Sequence, residues 1–263
     1  MPELPDVEIF KRYFDTTSLH QRIDDVDVRN AYILKGTSAR ELAHKLKGRR
    51  FESSRRYGKH LFVRTNDHVW LRLHFGMTGS LQYLKNNEQA PRHARVLFTF
   101  ANSRRLAFDD QRQFGQIGRL KSVDEFLKTR GLGPDALEVD HGEFKKILEK
   151  RRGAVKSILL NQKLIAGIGN IYVDEILFHV RMHPATEISR LGDKALTKLF
   201  GATRYILEKA IKAKADVNRM PRSWLLPYRG KNGRCPRCGR KLKSLSIGGR
   251  TAWFCAHCQR RLS

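Results

Sequence analysis

Apolar and polar positions alternate most regularly in the first half of the chain. From His68 to Phe75, one side holds Val69, Leu71, Leu73 and Phe75 and the other His68, Trp70, Arg72 and His74. That period of two predicts a β-strand with one packed face and one face able to reach a ligand. Short apolar runs at His60 to Arg64, Arg95 to Phe100 and Arg104 to Phe108, with turn formers Asn66, Asp67, Asn102 and Ser103 between them, make the first half β-rich. Ahead of them, Ile9, Tyr13 and Phe14 recur at helical spacing after Pro5-Asp6, which predicts a short helix over Val7 to Phe14. The turn-rich GLGPDAL, Gly131 to Leu137, marks a boundary. Beyond it the spacing becomes helical over Phe144 to Asn161, Asn170 to Arg181 and Leu196 to Lys214, the last with Leu196, Leu199, Phe200, Leu207, Ala210 and Ile211 on one side. The expected division is 1–130, a linker 131–140, a helical domain 141–228 and a cysteine-bearing segment 229–263.

Charge narrows the function. Among 263 residues, 52 Lys and Arg stand against 26 Asp and Glu, a formal charge of +26, and 40% hydrophobic content suffices for one large core or two modest ones. Such an excess seeks a polyanion, either nucleic acid or an anionic membrane. No run of 18 apolar residues and no secretory-signal pattern occurs, which favours nucleic acid and a cytoplasmic, chromosome-associated protein with no membrane partner.

All four cysteines lie near the end, as Cys235-x2-Cys238, sixteen residues, then Cys255-x2-Cys258. Two such knuckles can offer four thiolates to one zinc ion, with a β-hairpin between them. Four sulfur ligands leave no open position for water, so the expected zinc is structural. Arg250, beside Gly248 and Gly249 at the hairpin turn, is placed to approach a phosphate.

The chain opens MPELPDVE. Removal of Met1 before a small residue would leave Pro2 with a free secondary amine. Its ordinary pKa lies far below that of lysine, and it forms an iminium ion with a sugar aldehyde. The adjacent Glu3 offers a carboxyl group for proton transfer. Taken alone, a Met-Pro start is most often just a start.

This N-terminus resembles the signature of the formamidopyrimidine-DNA glycosylase and endonuclease VIII family. Further segments of this chain resemble the family in the same order: RRYGKHL, LHFGMTGSL, DDQRQFG, LGPDAL, KLIAGIGNIYVDEILF and the cysteine knuckles. Together they span nearly the whole chain. A dinucleotide loop at Gly167-x-Gly169 is ruled out by Tyr172 at the third glycine's place and by the lack of a preceding strand.

The resemblance implies an α+β protein: an N-terminal β-sandwich, then a helix-two-turn-helix domain with a zinc-finger β-hairpin, gripping damaged double-stranded DNA in a basic cleft as a monomer. It implies that Pro2 attacks C1′ of the damaged nucleoside, that Glu3 supplies acid and base steps, and that strand cleavage follows by β,δ-elimination in base excision repair. Lys59 matches the family's catalytic-loop lysine, against the plainer reading of a solvated lysine. Met77, Arg112 and Phe114 match the set that fills the void left by an extruded nucleotide. Met77 and Phe114 also read as core residues, although their neighbouring glycines Gly76, Gly79 and Gly115 speak for turns. Methionine in one loop and Arg-x-Phe in another resembles the formamidopyrimidine glycosylase branch. Phosphate contacts fall to Lys59, His74, Asn170 and Arg250, with a structural histidine and a plain helix cap as alternatives for His74 and Asn170.

Two departures stand out. Asp6 replaces the family's commoner glutamate, and only ADVNRMPRSWLLPYRGKNGR separates Lys214 from Cys235, where relatives carry a longer loop closing over 8-oxoguanine. Formamidopyrimidines, 8-oxoguanine and oxidised pyrimidines are therefore all candidate substrates, with a weakened preference for 8-oxoguanine. A non-enzymatic sensor of bent DNA does not need intact Pro2, Glu3 and Lys59, and an RNA-binding zinc ribbon leaves the N-terminus unexplained.

Overall fold

Pro5 sits in the first turn of helix α1 (Leu4–Ser18), where an N–H would have no intrahelical partner, and Asp6 in the same turn complements the helix dipole. The helix is longer at both ends than the apolar spacing alone predicts, and it buries Leu4, Val7 and Phe14. The computed structural model describes residues 1–260, so the last three residues of the expected segment 229–263 lie outside it. The chain forms two units, one of residues 1–2 and 6–130, the other of residues 3–5 with those from Gly131 onward.

In the first unit the strands are β1 (Ile23–Val28), β2 (Leu34–Lys35), β3 (Phe51–Tyr57), β4 (His60–Thr65), β5 (Trp70–His74), β6 (Ser80–Leu84), β7 (Ala94–Phe100), β8 (Arg105–Asp109) and β9 (Gln116–Leu120), with helices α2 (Ala39–Leu46) and α3 (Val123–Arg130). One sheet runs β1-β7-β8-β6, the other β2-β9-β5-β4-β3. All pairs are antiparallel except β2 with β9. Aromatic rings from both sheets meet in one core, with centroid distances of 5.8 Å for Phe51–Phe98 and 5.6 Å for Phe75–Phe108. The expected β-sandwich is present. On β5 the inward face is Leu71 and Leu73, but Arg72 on the other face is also buried, which departs from the open face that alternation predicts.

The second unit contains α4 (His141–Glu149), α5 (Val155–Leu160), α6 (Asn170–His179), α7 (Asp193–Lys212) and a hairpin of β10 (Lys243–Ile247) and β11 (Arg250–Phe254). The single helix expected over Phe144 to Asn161 is two helices, because the segment between them includes Gly153 at φ +105°. Every residue of α6 from Tyr172 to Phe178 is buried, including Asp174 and Glu175. Among the described residues no helix is long and apolar enough to cross a membrane.

Asp174 is the polar hub of this unit. Its Oδ1 accepts from Lys156 Nζ at 2.7 Å, and its Oδ2 from Arg229 Nη2 at 2.8 Å and from the Trp253 N–H at 3.1 Å. Lys156 Nζ also donates to the Thr251 carbonyl at 3.0 Å. One carboxylate therefore ties α5, α6, the Arg229 segment and the hairpin together. Deleting one member of a buried charged set leaves the others uncompensated, so Asp174→Ala should lower the unfolding free energy by about 3–5 kcal/mol in urea denaturation. An unchanged midpoint would remove the hub from the account.

Candidate active site, DNA-contacting loops and metal centre

Helix α6 starts without a side-chain cap of its own: the capping residue is Gly169. The missing partner comes from the far end of the sequence. Glu3, only 1% exposed, accepts the Ile171 N–H on Oε1 at 2.8 Å and the Tyr172 N–H on Oε2 at 3.2 Å. The positive end of the helix dipole favours the same placement. A Cβ on Gly169 would stand 2.0 Å from the Glu3 Cδ, so only glycine leaves room for this carboxylate. The Leu4 N–H donates to the Gly167 carbonyl at 3.2 Å. Pro2 follows the exposed Met1 and is half-buried, one peptide bond from the clamped Glu3.

This geometry corrects two expectations for Asn170. The cap is Gly169, with Asn170 the first helical residue, and two of the first-turn N–H groups expected to meet a phosphate are taken by Glu3. The Asn170 carbonyl accepts from Arg229 Nη2 at 3.2 Å, while its buried Oδ1 has no hydrogen-bond partner among the described residues.

In the first unit, Gly58 and Lys59 form the two-residue turn between paired Tyr57 and His60, and Lys59 is half-buried there. His74 ends β5 opposite His60, with the two rings 5.0 Å apart. Burial, helped by Arg72 and Lys59, lowers the His74 pKa to about 4, and burial likewise holds His60 well below its ordinary value. Both are neutral at pH 7. His74 Nδ1 accepts the Gly76 N–H at 3.2 Å, which leaves Nε2 as the protonated nitrogen, a donor suited to an oxygen ligand.

Met77 (40% exposed), Arg112 and Phe114 (52% exposed) stand on two loops that are locked together. A Cβ on Gly76, at φ +57°, would lie 2.4 Å from the Phe114 carbonyl carbon. The fully buried Asp110 holds both loops: Oδ1 accepts the Thr78 hydroxyl at 2.5 Å and Oδ2 the Gly115 N–H at 2.6 Å. Thr78 Oγ1 in turn accepts the Arg112 N–H at 3.0 Å, and the Arg112 guanidinium lies 4.8 Å from the Phe114 ring centre. Exposed apolar side chains on so rigid a base are disposed for contact with a partner, not for the core.

Cys235, Cys238, Cys255 and Cys258 come together with all four sulfurs within 4.8 Å of one another, at 3.8 Å for Cys235–Cys258 and 3.6 Å for Cys238–Cys255. Tetrahedral zinc with sulfur at about 2.3 Å requires sulfurs roughly 3.8 Å apart, so the set fits one zinc ion with no ligand position left over. Phe178, Leu225 and Leu242 pack against it, which suits a structural ion. Arg250 opens β11, exposed and opposite Ile247 across the Gly248-Gly249 turn.

Models of the formamidopyrimidine-DNA glycosylase N-terminal domain, of its H2TH domain, and of the zinc finger found in FPG and IleRS match residues 1–117, 131–221 and 233–261. The formamidopyrimidine-DNA glycosylase of Bacillus subtilis is 34% identical, across 98% of this chain and 99% of its own. That of Listeria innocua is 32% identical, across 99% and 100%. The chain belongs to the formamidopyrimidine-DNA glycosylase family. Among solved structures, the Lactococcus lactis family member bound non-covalently to DNA containing an AP site superposes with a TM-score of 0.90, at 29% identity over 99% of this chain and 100% of that one. The same organism's enzyme with DNA containing N7-benzyl-Fapy-dG also gives 0.90, at 28% identity over 99% and 100%. This protein is thus a DNA glycosylase of base excision repair, carrying a zinc finger.

Within the glycosylase, Lys59, His74, Met77, Arg112 and Phe114 lie in the first unit. Glu3, Asn170 and Arg250 lie in the second, together with the cysteines. Sequence reasoning missed Asp110 and Asp174, because an isolated aspartate looks the same whether solvated or clamping loops. It also left open the short segment after α7. That segment is packed down: Trp224, Leu225 and Leu226 are buried, and the Leu226 N–H donates to Glu175 Oε2 at 2.8 Å. Burial pushes the Glu175 carboxyl up to about 7.

Asp110→Ala should cost about 1–3 kcal/mol of stability by orphaning the Thr78 hydroxyl and the Gly115 N–H. It should also weaken binding of duplex DNA in fluorescence anisotropy. Wild-type values of both would show that the clamp is idle.

Proposed function

We propose that this glycosylase is also an AP lyase whose nucleophile is the Pro2 amine, freed by removal of Met1. What supports the reading is the clamp on Glu3, a buried carboxylate next to Pro2 in the chain. The nitrogen attacks C1′, the damaged base departs with the glycosidic electron pair and takes a proton, and the sugar ring opens to an iminium ion. Glu3, the next residue in the chain, serves the proton transfers. A base takes the C2′ proton while the C–H electron pair flows into the iminium, the resulting enamine expels the 3′-phosphate with its bonding pair, and removal of the C4′ proton then expels the 5′-phosphate. Lys59 and neutral His74 hold the flanking phosphates, with Asn170 and Arg250 contributing further contacts. Met77, Arg112 and Phe114 fill the vacated stack, whose opening costs a few kcal/mol.

The substrates are formamidopyrimidines and 8-oxoguanine, extending to oxidised pyrimidines. The short, packed segment after α7 offers an extruded base fewer contacts than a long closing loop. Duplexes each bearing one lesion should therefore show formamidopyrimidine excised at least as fast as 8-oxoguanine, with strand ends phosphorylated on both sides of the gap. Pro2→Gly, or a chain retaining Met1, should lower excision at least a hundredfold while duplex binding persists. Exclusive excision of 8-oxoguanine would refute the substrate reading, and undiminished excision by both altered chains would refute the nucleophile.

A further inference from the structure

The first unit carries a further basic cavity, which adjoins the His60–His74 pair through Phe126, 5.3 Å from the His60 ring. A cavity of about 410 Å³ opens between the β9–α3 connection, the start of the β2–α2 connection and α3. Five cations line it, Lys35, Arg72, Arg119, Lys121 and Arg130, against one carboxylate, Glu125. Arg119 is neutralised by Glu41 at 2.7 Å. Arg72 is not. It is 4% exposed, its Nη2 donates to the neutral Gln116 Oε1 at 2.8 Å, and its buried Nε has no hydrogen-bond partner among the described residues. Both Arg72 and Arg130 lie over the Phe126 ring, at 5.1 Å and 5.7 Å from its centre. A ring face attracts cations but satisfies no N–H fork.

A guanidinium buried among like charges is held at a cost. Burial, with Arg130 as the second cause, lowers the Arg72 pKa to about 10. A doubly charged oxyanion in the cavity would offset that cost, accept from planar N–H pairs, and draw Lys121 and Arg130 onto itself. A carboxylate from the protein would serve too, yet none pairs with Arg72 among the described residues.

We propose that this cavity is a phosphate-binding site centred on Arg72 and Arg130, taking either a free phosphate compound of the pyrophosphate class or a backbone phosphate of a nucleic-acid strand. The proposal does not depend on the lesion chemistry. Two variants test it: Arg72→Leu, which replaces the buried charge with an apolar side chain, and the exposed Arg130→Ala, which leaves the core intact if the first fails to fold. One arm titrates inorganic pyrophosphate into the full chain without DNA by calorimetry. The other follows binding of an undamaged duplex as salt is raised.

If the ligand is free phosphate, each folded variant should bind pyrophosphate at least tenfold more weakly, with its duplex salt dependence unchanged. If it is a strand phosphate, the slope of log K against log salt should fall by roughly one in each variant, whether or not pyrophosphate binding falls as well. A folded Arg130→Ala chain matching wild type in both arms would overturn the site.

Discussion

Two hydrogen bonds from the first turn of α6 to the Glu3 carboxylate tie the start of the chain to the second unit. Helix ends leave N–H groups without partners, and here the remedy comes from 168 residues away in sequence. The carboxylate settles against the helix dipole, Gly169 makes room for it, and residues 3–5 become part of the second unit while residue 6 onward builds the sandwich unit. The consequence bears on the reaction we propose. A chain terminus is ordinarily the most mobile part of a protein, unsuited to attack on a particular carbon. The nucleophile we propose directly precedes the held carboxylate in the chain.

Buried aspartates repeat this economy elsewhere. Asp110 holds the Met77 and Phe114 loops, and Asp174 holds the zinc hairpin to α5 and α6. In each case a fully buried carboxylate is surrounded by donors from different segments, so displacing any one segment strands a charge. Such hubs make the surrounding loops stiff, as the void-filling role we propose for Met77 and Phe114 requires. The overall excess of cations brings the polyanion, but these few acids decide where the side chains we propose to contact it stand.

Much of this was legible in the residues. The period of two around Leu71 to Phe75 identified a core strand, and the paired CxxC spacing identified four ligands that the fold brings within 4.8 Å. The fold class and the family were legible from the motifs along the chain. What alternation missed is informative: Arg72 occupies an outward position, yet helix α3 and its Phe126 cover that face, and an eight-residue helix with little apolar patterning left no signal. The break at Gly153 was missed because Leu148 and Val155, seven residues apart, stay in helical phase across the polar run Glu149 to Arg152. Asn170 looked like a cap because nothing local indicates that Glu3 will occupy that role. Long-range partners are invisible to local periodicity.

The central claim is that the amine of residue 2 bonds to the sugar. Reaction with abasic DNA in the presence of borohydride, followed by digestion and tandem mass spectrometry of the reduced adduct, locates that bond directly. The account predicts the sugar mass on the N-terminal peptide, beginning at Pro2 without Met1. An adduct mapped to Lys59 or any other lysine, or no adduct from a chain that still cleaves, would contradict it.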